Sequence, residues 1–383
     1  MIETFRNFII THRLAFLAIG LCLGILSYVL HRAPFSKAAE TKHSGKTESQ
    51  EKKDMPAVRE ISENWFESRD SIYFDIPARM LIKHPKNKNN VQEIINTGWQ
   101  EFERIGKIFN PYDADSEVAA INQAAGSGNI RVSEDLHEAL KISQVLFTES
   151  RGLFDPTFLS IKELWRHAEK TQNIPSEREI LKALGQTGFE DVVIETGRTG
   201  NIRLNNPDIR FDFGGIAKGY AVDRVRSILK KNGVSRGLVQ LGGEIAAFGK
   251  KDGDPWRIGI QHPQNMQGIW GIIAHEGDIR VSTSGNYRQP IMIRGHKFYH
   301  IFSPKTGKPV SEKVLGVTTI GGKKSHSNAL IDGAATAITV MGAADGLQFA
   351  QKLGIEALIL TRDRDKEIAE HMTPGFKKFY ERQ

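Results

Sequence analysis

Cysteine is nearly absent from this sequence. The 383 residues include one, Cys22, which excludes an intramolecular disulfide and a metal centre built from cysteines. No period of about 20 to 50 residues recurs along the chain, which argues against a solenoid or a propeller. The glycine pair Gly214-Gly215, followed by Lys218, has no Gly-Lys-Ser/Thr ending and is therefore not a P-loop.

The basic residues of the chain are also not clustered in its body. Of the net charge of +7, +3 belongs to the first 60 residues and +4 to the remaining 323. The body has no run of lysine and arginine with interleaved aromatic residues, so we do not expect it to bind nucleic acid. With 39% hydrophobic and 8% aromatic residues, the chain can bury a sizeable core and is expected to be globular.

Long hydrophobic runs are limited to one. Residues Leu14–Leu30 contain no charge and lie at the short end of the membrane-spanning range. Basic residues flank the run on both sides, so the charge comparison does not decide its orientation. We predict that residues 1–32 form an uncleaved membrane anchor. A cleaved signal peptide stays open as an alternative, and a lipoprotein is disfavoured because Leu21, not a small residue, precedes Cys22.

The composition changes twice after this run. Residues 33–68 are rich in Lys, Glu, Ser and Thr and predict a polar linker. Residues 69–383 carry alternating apolar patterns typical of strands and helical spacing such as that of Val91 to Ile108. Strand-like and helix-like segments are interspersed in this globular body, and the chain length allows one large domain or two ordinary ones.

One stretch, Ile209 to Asp223, combines features suited to an anion or a metal. A short apolar segment, predicted as a strand, delivers Asp212 to the bare backbone of Gly214-Gly215, and a predicted helix then carries Lys218 in its first turns. A carboxylate, exposed backbone groups and a cation therefore meet at one turn. Such a combination suits a bound phosphate or metal ion.

Two later segments carry further candidate groups. Asp332 and Thr336 lie four apart in a predicted helix, which puts both oxygens on one helix face. One carboxylate with neutral oxygens suits Mg²⁺, although an Asp that caps its helix and a Thr that bonds back to a carbonyl would look the same. His300, between a predicted strand and a tight turn, is either a reactive base or an ordinary core histidine.

Taken in order, the dense motifs of this chain resemble those of the ApbE family, the FAD:protein FMN transferases. The resemblance extends over roughly Phe74 to Gln348. It rests on Tyr112-x-x-Asp-Ser-Glu117, Ser150-x-Gly-x-Phe-Asp-Pro-Thr157, Asp212-Phe-Gly-Gly-Ile-Ala-Lys-Gly219 with Asp223, Gly242-Gly243-Glu244, Thr283-Ser-Gly285, His300-Ile-x-x-Pro-x-Thr-Gly307 and Asp332-Gly-x-x-Thr336.

The resemblance implies a single mixed α/β domain that binds FAD and Mg²⁺. It would transfer FMN to a threonine or serine hydroxyl of an acceptor flavoprotein and release AMP. By the same resemblance, Mg²⁺ is held by the Gly215 carbonyl and the side chains of Asp332 and Thr336, and His300 is the candidate general base. The residues expected to contact FAD are Tyr112, Phe154, Asp155, Asp212, Lys218 and Ile301.

The chain departs from the family pattern at two places. Ile76-Pro77-Ala78 replaces the usual Met-Gly-Thr, and Ser303 replaces an aspartate close to the proposed base. Two other functions therefore stay open: a Mg²⁺-dependent FAD pyrophosphatase that releases FMN and AMP, and an anchored protein that binds FAD without turnover. The Asp332 and Thr336 pair favours an enzyme, since storage of a flavin needs no metal on its diphosphate.

The resemblance also implies partners and a location. The acceptor is expected to belong to a membrane redox pump or to an extracytoplasmic reductase. Together with the predicted anchor, this places the chain at a bacterial inner membrane, with its catalytic domain on the periplasmic or extracytoplasmic side.

Overall fold

We analysed a computed structural model of the chain. It describes residues 55–73, 76–84, 88–195, 200–265, 267–285, 290–321, 326–363, 365 and 367–383. The predicted anchor, residues 1–32, lies outside this part of the chain. Within the ranges just given, no helix has the length and apolar character needed to cross a membrane.

The described residues form strands and helices that are interspersed along the chain, with an unbroken series of strands from residue 236 to residue 320. The strands are β1 (Val58–Ser62), β2 (Trp65–Tyr73), β3 (Ile76–Lys83), β4 (Asn129–Arg131), β5 (Val192–Ile194), β6 (Asn201–Leu204), β7 (Arg236–Leu241), β8 (Glu244–Phe248), β9 (Trp256–Gln261), β10 (Ile269–His275), β11 (Ile279–Gly285), β12 (Ile291–Ile293), β13 (His296–Phe298), β14 (Val314–Ile320), β15 (Glu356–Arg362), β16 (Ile368–Met372) and β17 (Tyr380–Arg382). The α-helices are α1 (Lys88–Phe109), α2 (Glu117–Gln123), α3 (Glu134–Ser150), α4 (Leu159–Thr171), α5 (Glu177–Leu184), α6 (Ala217–Lys231), α7 (Asn328–Met341) and α8 (Ala343–Leu353).

The centre of the fold is a nine-stranded sheet in the order β1-β2-β3-β7-β8-β11-β14-β15-β16. Each neighbouring pair in it is antiparallel. Helices α1, α6 and α7 cover one face through a core that includes Met80, Phe102 and Val222. The small sheet β17-β10-β9 covers the other face through a core that includes Trp256 and Phe376. The predicted mixed α/β fold is therefore confirmed.

The sheet begins earlier than the sequence predicts. Strand β1 and the first four residues of β2 lie within residues 33–68, which we predicted to be a polar linker. Trp65 and Phe66 are buried in the cores on opposite faces of the sheet. Glu67 is also buried and pairs with Arg69 and Arg79. Glu67, one of the charged residues that made this segment look like a linker, is thus neutralised by arginines that lie further along the sheet.

A third, smaller core supports the segment around His300. It joins α4 and α5 to the hairpin β12-β13 through Ile161, Trp165, Ile293 and Phe302. The indole N–H of Trp165 donates to the carbonyl of Gly307 at 2.8 Å. This core therefore fastens the chain on both sides of His300 to helix α4.

Several local predictions hold and one is wrong. The helix expected over Val91 to Ile108 is α1, and the helix expected to carry Asp332 and Thr336 is α7. The expected strand before Asp212 forms only an isolated bridge between Arg210 and Phe158. The buried amide of Asn122 takes the place of a neighbouring strand, because it accepts from the Phe211 N–H at 2.6 Å and donates to the Phe211 carbonyl at 3.1 Å.

Candidate active site

The Gly214-Gly215 turn lies directly before helix α6. The carboxylate of Asp212 accepts a hydrogen bond from the Gly214 N–H at 2.7 Å. The carbonyl of Phe213 accepts from Ile216 and Ala217 at 2.9 and 2.8 Å, which begins the helix. The backbone of Gly214 is exposed. The turn therefore presents exposed backbone next to a carboxylate, as the sequence predicts.

Helices α6 and α7 approach each other very closely at Gly219. A Cβ atom on this residue would lie 2.4 Å from the carbonyl oxygen of Asn328, so only glycine allows the approach. The Gly219 N–H consequently donates to the carboxylate of Asp332 at 3.0 Å. This contact joins the turn of the Asp212 motif to the Asp332 helix.

Asp332 is 1% exposed and faces the ammonium of Lys218, whose Nζ lies 3.3 and 3.4 Å from its two carboxylate oxygens. Burial raises the pKa of Asp332, and the charge of Lys218 opposes that shift. Burial by itself would lower the pKa of Lys218, but the carboxylates of Asp332 and Glu244 outweigh it and hold that pKa above its usual range. A buried carboxylate in this site thus already attracts a cation.

The residues that carry the three predicted metal ligands lie close together. The hydroxyl of Thr336 donates to the Asp332 carbonyl at 3.3 Å, and its oxygen lies 3.7 Å from the position that a Cβ on Gly215 would occupy. A buried carboxylate, a hydroxyl and a backbone carbonyl are the hard oxygen ligands that Mg²⁺ takes, with phosphate or water completing its shell. In the described ranges no group of three or more His, Cys, Asp or Glu residues could hold a metal, so a site here relies on one carboxylate.

Phe154 and Asp155, both predicted to contact FAD, have internal roles in the structure. The ring of Phe154 is 4% exposed and lies 3.0 Å from the Cβ position of Gly215. The carboxylate of Asp155 accepts from the N–H and hydroxyl of Thr157 and from the N–H of Phe189. These two residues hold the base of the site in shape, and their direct contact with FAD stays a prediction.

Asp212 and Tyr112 are linked by a residue that the sequence did not single out. Lys162, on α4, donates to the second carboxylate oxygen of Asp212 at 2.5 Å. Its ammonium lies 5.9 Å from the centre of the Tyr112 ring, and the guanidinium of Arg166 lies 4.6 Å from the same centre. Tyr112 is 48% exposed, so an aromatic ring with neighbouring cations borders the Gly214 turn.

His300 and Ile301 follow β13 in an irregular segment. His300 is half-buried, whereas Ile301 is buried and its carbonyl accepts from the Val310 N–H at 2.9 Å. The next residue, Phe302, packs on Trp165 with the ring centres 6.0 Å apart. Helix α4 therefore contacts the His300 segment through its buried face, and it contacts Asp212 through Lys162.

Both departures from the family pattern have defined positions in the structure. The Gly242 N–H donates to the Pro77 carbonyl at 2.8 Å, and Ile76 lies 3.4 Å from the Cβ position of Gly242. Ile76-Pro77-Ala78 thus lies against the turn that precedes buried Glu244. Ser303 bonds through its backbone to Gly307 and Lys308, so its segment keeps a tight turn without the carboxylate.

Sequence reasoning missed three residues that position the site. Lys162 and Trp165 belong to α4, and Asn122 is buried in α2. The one available signal was the cation pair Lys162 and Arg166, spaced one helical turn apart. Nothing local indicates that Asn122 bonds to a backbone 89 positions away.

A comparison with known proteins identifies the family of this chain. The ApbE family model matches residues 75–359, most of the chain. The chain belongs to the ApbE family. The match spans the Gly214 turn, His300, Asp332 and Thr336, so every predicted site residue lies inside the family region.

Relatives with names and structures support the family assignment. The FAD:protein FMN transferase of Vibrio cholerae is 32% identical over 280 residues, covering 72% of this chain and 81% of that protein. The FAD:protein FMN transferase of Escherichia coli K12 is 25% identical over 298 residues, covering 77% and 83%. The solved ApbE flavin transferase of Vibrio cholerae superposes with a TM-score of 0.71 at 27% identity, covering 82% of this chain and 99% of that one. The ApbE protein of Thermotoga maritima gives 0.72 at 28% identity with the same coverage.

Proposed function

We propose that this chain is a Mg²⁺-dependent FAD:protein FMN transferase that attaches FMN to a threonine or serine hydroxyl of an acceptor flavoprotein and releases AMP. The relatives that carry this activity in their names support the transfer. One observation supports the metal dependence: Gly215 of one motif lies beside Thr336 of another, and Thr336 lies one helical turn from the buried carboxylate of Asp332.

The site residues suit a displacement at phosphorus. The hydroxyl oxygen of the acceptor forms a bond to the phosphorus of the FMN half, and the bond between that phosphorus and the bridging oxygen breaks, so AMP leaves with the electron pair. Mg²⁺ held by Gly215, Asp332 and Thr336 would neutralise charge on the diphosphate. Lys218 adds a fixed positive charge beside Asp332, and His300 would accept the proton of the attacking hydroxyl.

This mechanism needs no nucleophile from the enzyme. Phosphoryl-type transfer depends mostly on alignment and on neutralisation of charge. The closely packed α6 and α7 provide alignment because Gly219 fixes Lys218 against Asp332. The single cysteine, Cys22, lies far in sequence from these motifs and has no part in the reaction.

The test uses the full-length chain with FAD, Mg²⁺ and a purified acceptor that carries an Asp-x-x-Ser/Thr-x-Thr sequence. We expect flavin fluorescence that stays with the acceptor on a denaturing gel, together with one AMP for each flavin attached. An acceptor in which the target hydroxyl residue is replaced by alanine is the control and should stay dark. Release of AMP and FMN with an unlabelled acceptor would instead identify a pyrophosphatase, and unchanged FAD would identify a flavin-binding protein.

We also propose that the acceptor belongs to a membrane redox pump or an extracytoplasmic reductase and that the chain works at a bacterial inner membrane, on its periplasmic side. The 17-residue uncharged run at Leu14–Leu30 supports this location. Fractionation of cells tests it: the chain should sediment with membranes, and an outside-acting protease should digest residues 69–383. A chain found in the soluble cytoplasmic fraction would contradict it.

A further inference from the structure

Lys162 offers a second positive charge beside the exposed Gly214 turn. Its ammonium would lie 3.8 Å from a Cβ on Gly214, and the ammonium of Lys218 donates to the Gly214 carbonyl at 3.1 Å and to the Asp332 carboxylate. Gly214 is therefore flanked by two ammonium groups. A group with two negative charges that lies over this backbone would meet both cations.

The two lysines differ in how their N–H groups are used. Lys218 donates to three acceptor atoms, the Gly214 carbonyl and both oxygens of Asp332. Lys162 donates to one described acceptor, the Asp212 carboxylate, and its side chain is 40% exposed. An ammonium has three N–H donors, so Lys162 can bond to a ligand without leaving Asp212.

Helix α4 holds Lys162 in a fixed position. The adjacent face of the helix is buried in the third core, where Ile161 and Trp165 are 0% and 3% exposed. The Trp165 bond to the Gly307 carbonyl prevents the helix from turning about its axis without loss of a buried hydrogen bond. Arg166, one turn beyond Lys162, covers Tyr112 and adds positive charge to the same side.

We propose that Lys162 is a substrate-binding residue that contacts the diphosphate of FAD together with Lys218, with Asp212 orienting its ammonium. The pKa of Lys162 agrees with this role, since burial by itself would lower it but the charge of Asp212 holds it above its usual range. The inference rests on the proposed function, because it concerns how the same site holds FAD.

The test compares ligands that share the isoalloxazine ring but differ in phosphate. Equilibrium dialysis of the full-length chain with Mg²⁺ and without acceptor measures the Kd of FAD and of riboflavin for wild type, Lys162→Met and Lys162→Arg. We expect Lys162→Met to raise the Kd of FAD about tenfold, as the loss of one charged hydrogen bond does, and to change the Kd of riboflavin less than twofold. Lys162→Arg should recover most of the FAD affinity.

The control is Lys170→Met, which removes an exposed lysine from the last turn of the same helix and should leave both Kd values unchanged. If Lys162→Met raises the Kd of FAD and of riboflavin equally, Lys162 acts only on the fold. If it leaves the Kd of FAD unchanged, Lys162 does not contact the diphosphate. Either result overturns the inference. Failure of the proposed function is a separate result. If the wild-type chain binds FAD but attaches no flavin to the acceptor, the proposed function is wrong, and the dialysis comparison still tests the role of Lys162.

Discussion

Lys218 and Asp332 lie 114 positions apart in the sequence, and their ammonium and carboxylate meet at 3.3 Å in a buried part of the site. The contact exists because α6 and α7 touch backbone to backbone at Gly219. It joins the Gly214 turn, which can receive a phosphate, to the helix that carries Asp332 and Thr336. Four predictions concern this contact and the residues of α6 and α7 around it.

Replacement of Asp332 with asparagine removes the one carboxylate of the proposed metal site. We expect Asp332→Asn to lower FMN transfer at least 100-fold at saturating FAD, because neutral oxygens alone bind Mg²⁺ weakly. Initial rates across a Mg²⁺ series measure this effect. Asp345→Asn, an exposed aspartate in the first turn of α8, is the control and should behave as wild type. Full activity in Asp332→Asn would show that Asp332 is not a metal ligand.

Thr336→Val removes a hydroxyl and keeps the shape of the side chain. We expect the Mg²⁺ concentration for half-maximal rate to rise about tenfold, since one neutral ligand is lost while Asp332 stays. Thr339→Val is a matched control: Thr339 lies on the same helix and likewise donates to the carbonyl four residues earlier, at 2.8 Å. If both variants show the same Mg²⁺ dependence as wild type, Thr336 is not a ligand.

Gly219→Ala tests the close approach of α6 and α7. The added methyl would lie 2.4 to 2.7 Å from backbone atoms of Asn328 and Ala329, which cannot move without shifting a helix. We expect a loss of about 1–3 kcal/mol in the free energy of unfolding, measured by urea denaturation, and a larger loss of transfer activity. In Gly98→Ala, the control, the new methyl meets the flexible end of Met80, so the loss should be smaller. Equal stability of the two variants would contradict the prediction.

Asp223 makes stability depend on pH. Burial, which disfavours the carboxylate, raises its pKa from 3.8 to about 6 despite bonds from Ala329 and the charge of Arg280. The folded chain therefore keeps a proton on Asp223 at pH values where the unfolded chain has lost it. The stability contributed by this proton is complete below about pH 4 and is lost as the pH rises through about 6.

The measurement is the free energy of unfolding of wild type minus that of Asp223→Asn, in urea, between pH 4.5 and 7.5. The subtraction cancels the other carboxylates, including Glu101 and Asp135, whose pKa values are lowered although burial opposes it, because arginines bond to them. We expect the difference to fall by about 1–3 kcal/mol with rising pH. A difference that does not change with pH would show that Asp223 titrates normally.

Local patterns were sufficient for most of the helices. The apolar spacing in α1 and the small residues of α7 predict their elements because each helix buries one continuous stripe, which the sequence displays directly. The start of the sheet was placed too late because Trp65 and Phe66 stand among charged residues whose partners, such as Arg79 for Glu67, come from the next strand. The partners that a strand finds in a neighbouring strand cannot be predicted from the sequence of that strand alone.

By itself the sequence determined the family, the order of the motifs and the residue types suited to a diphosphate and a metal, because these depend on chemistry and spacing within short segments. Only the tertiary structure decided which of these groups meet. The approach of α6 to α7 at Gly219 sets Lys218 against Asp332. The burial of one face of α4 sets Lys162 against Asp212. Both contacts join helices to distant segments, and packing in the core, not local preference, fixes such distances.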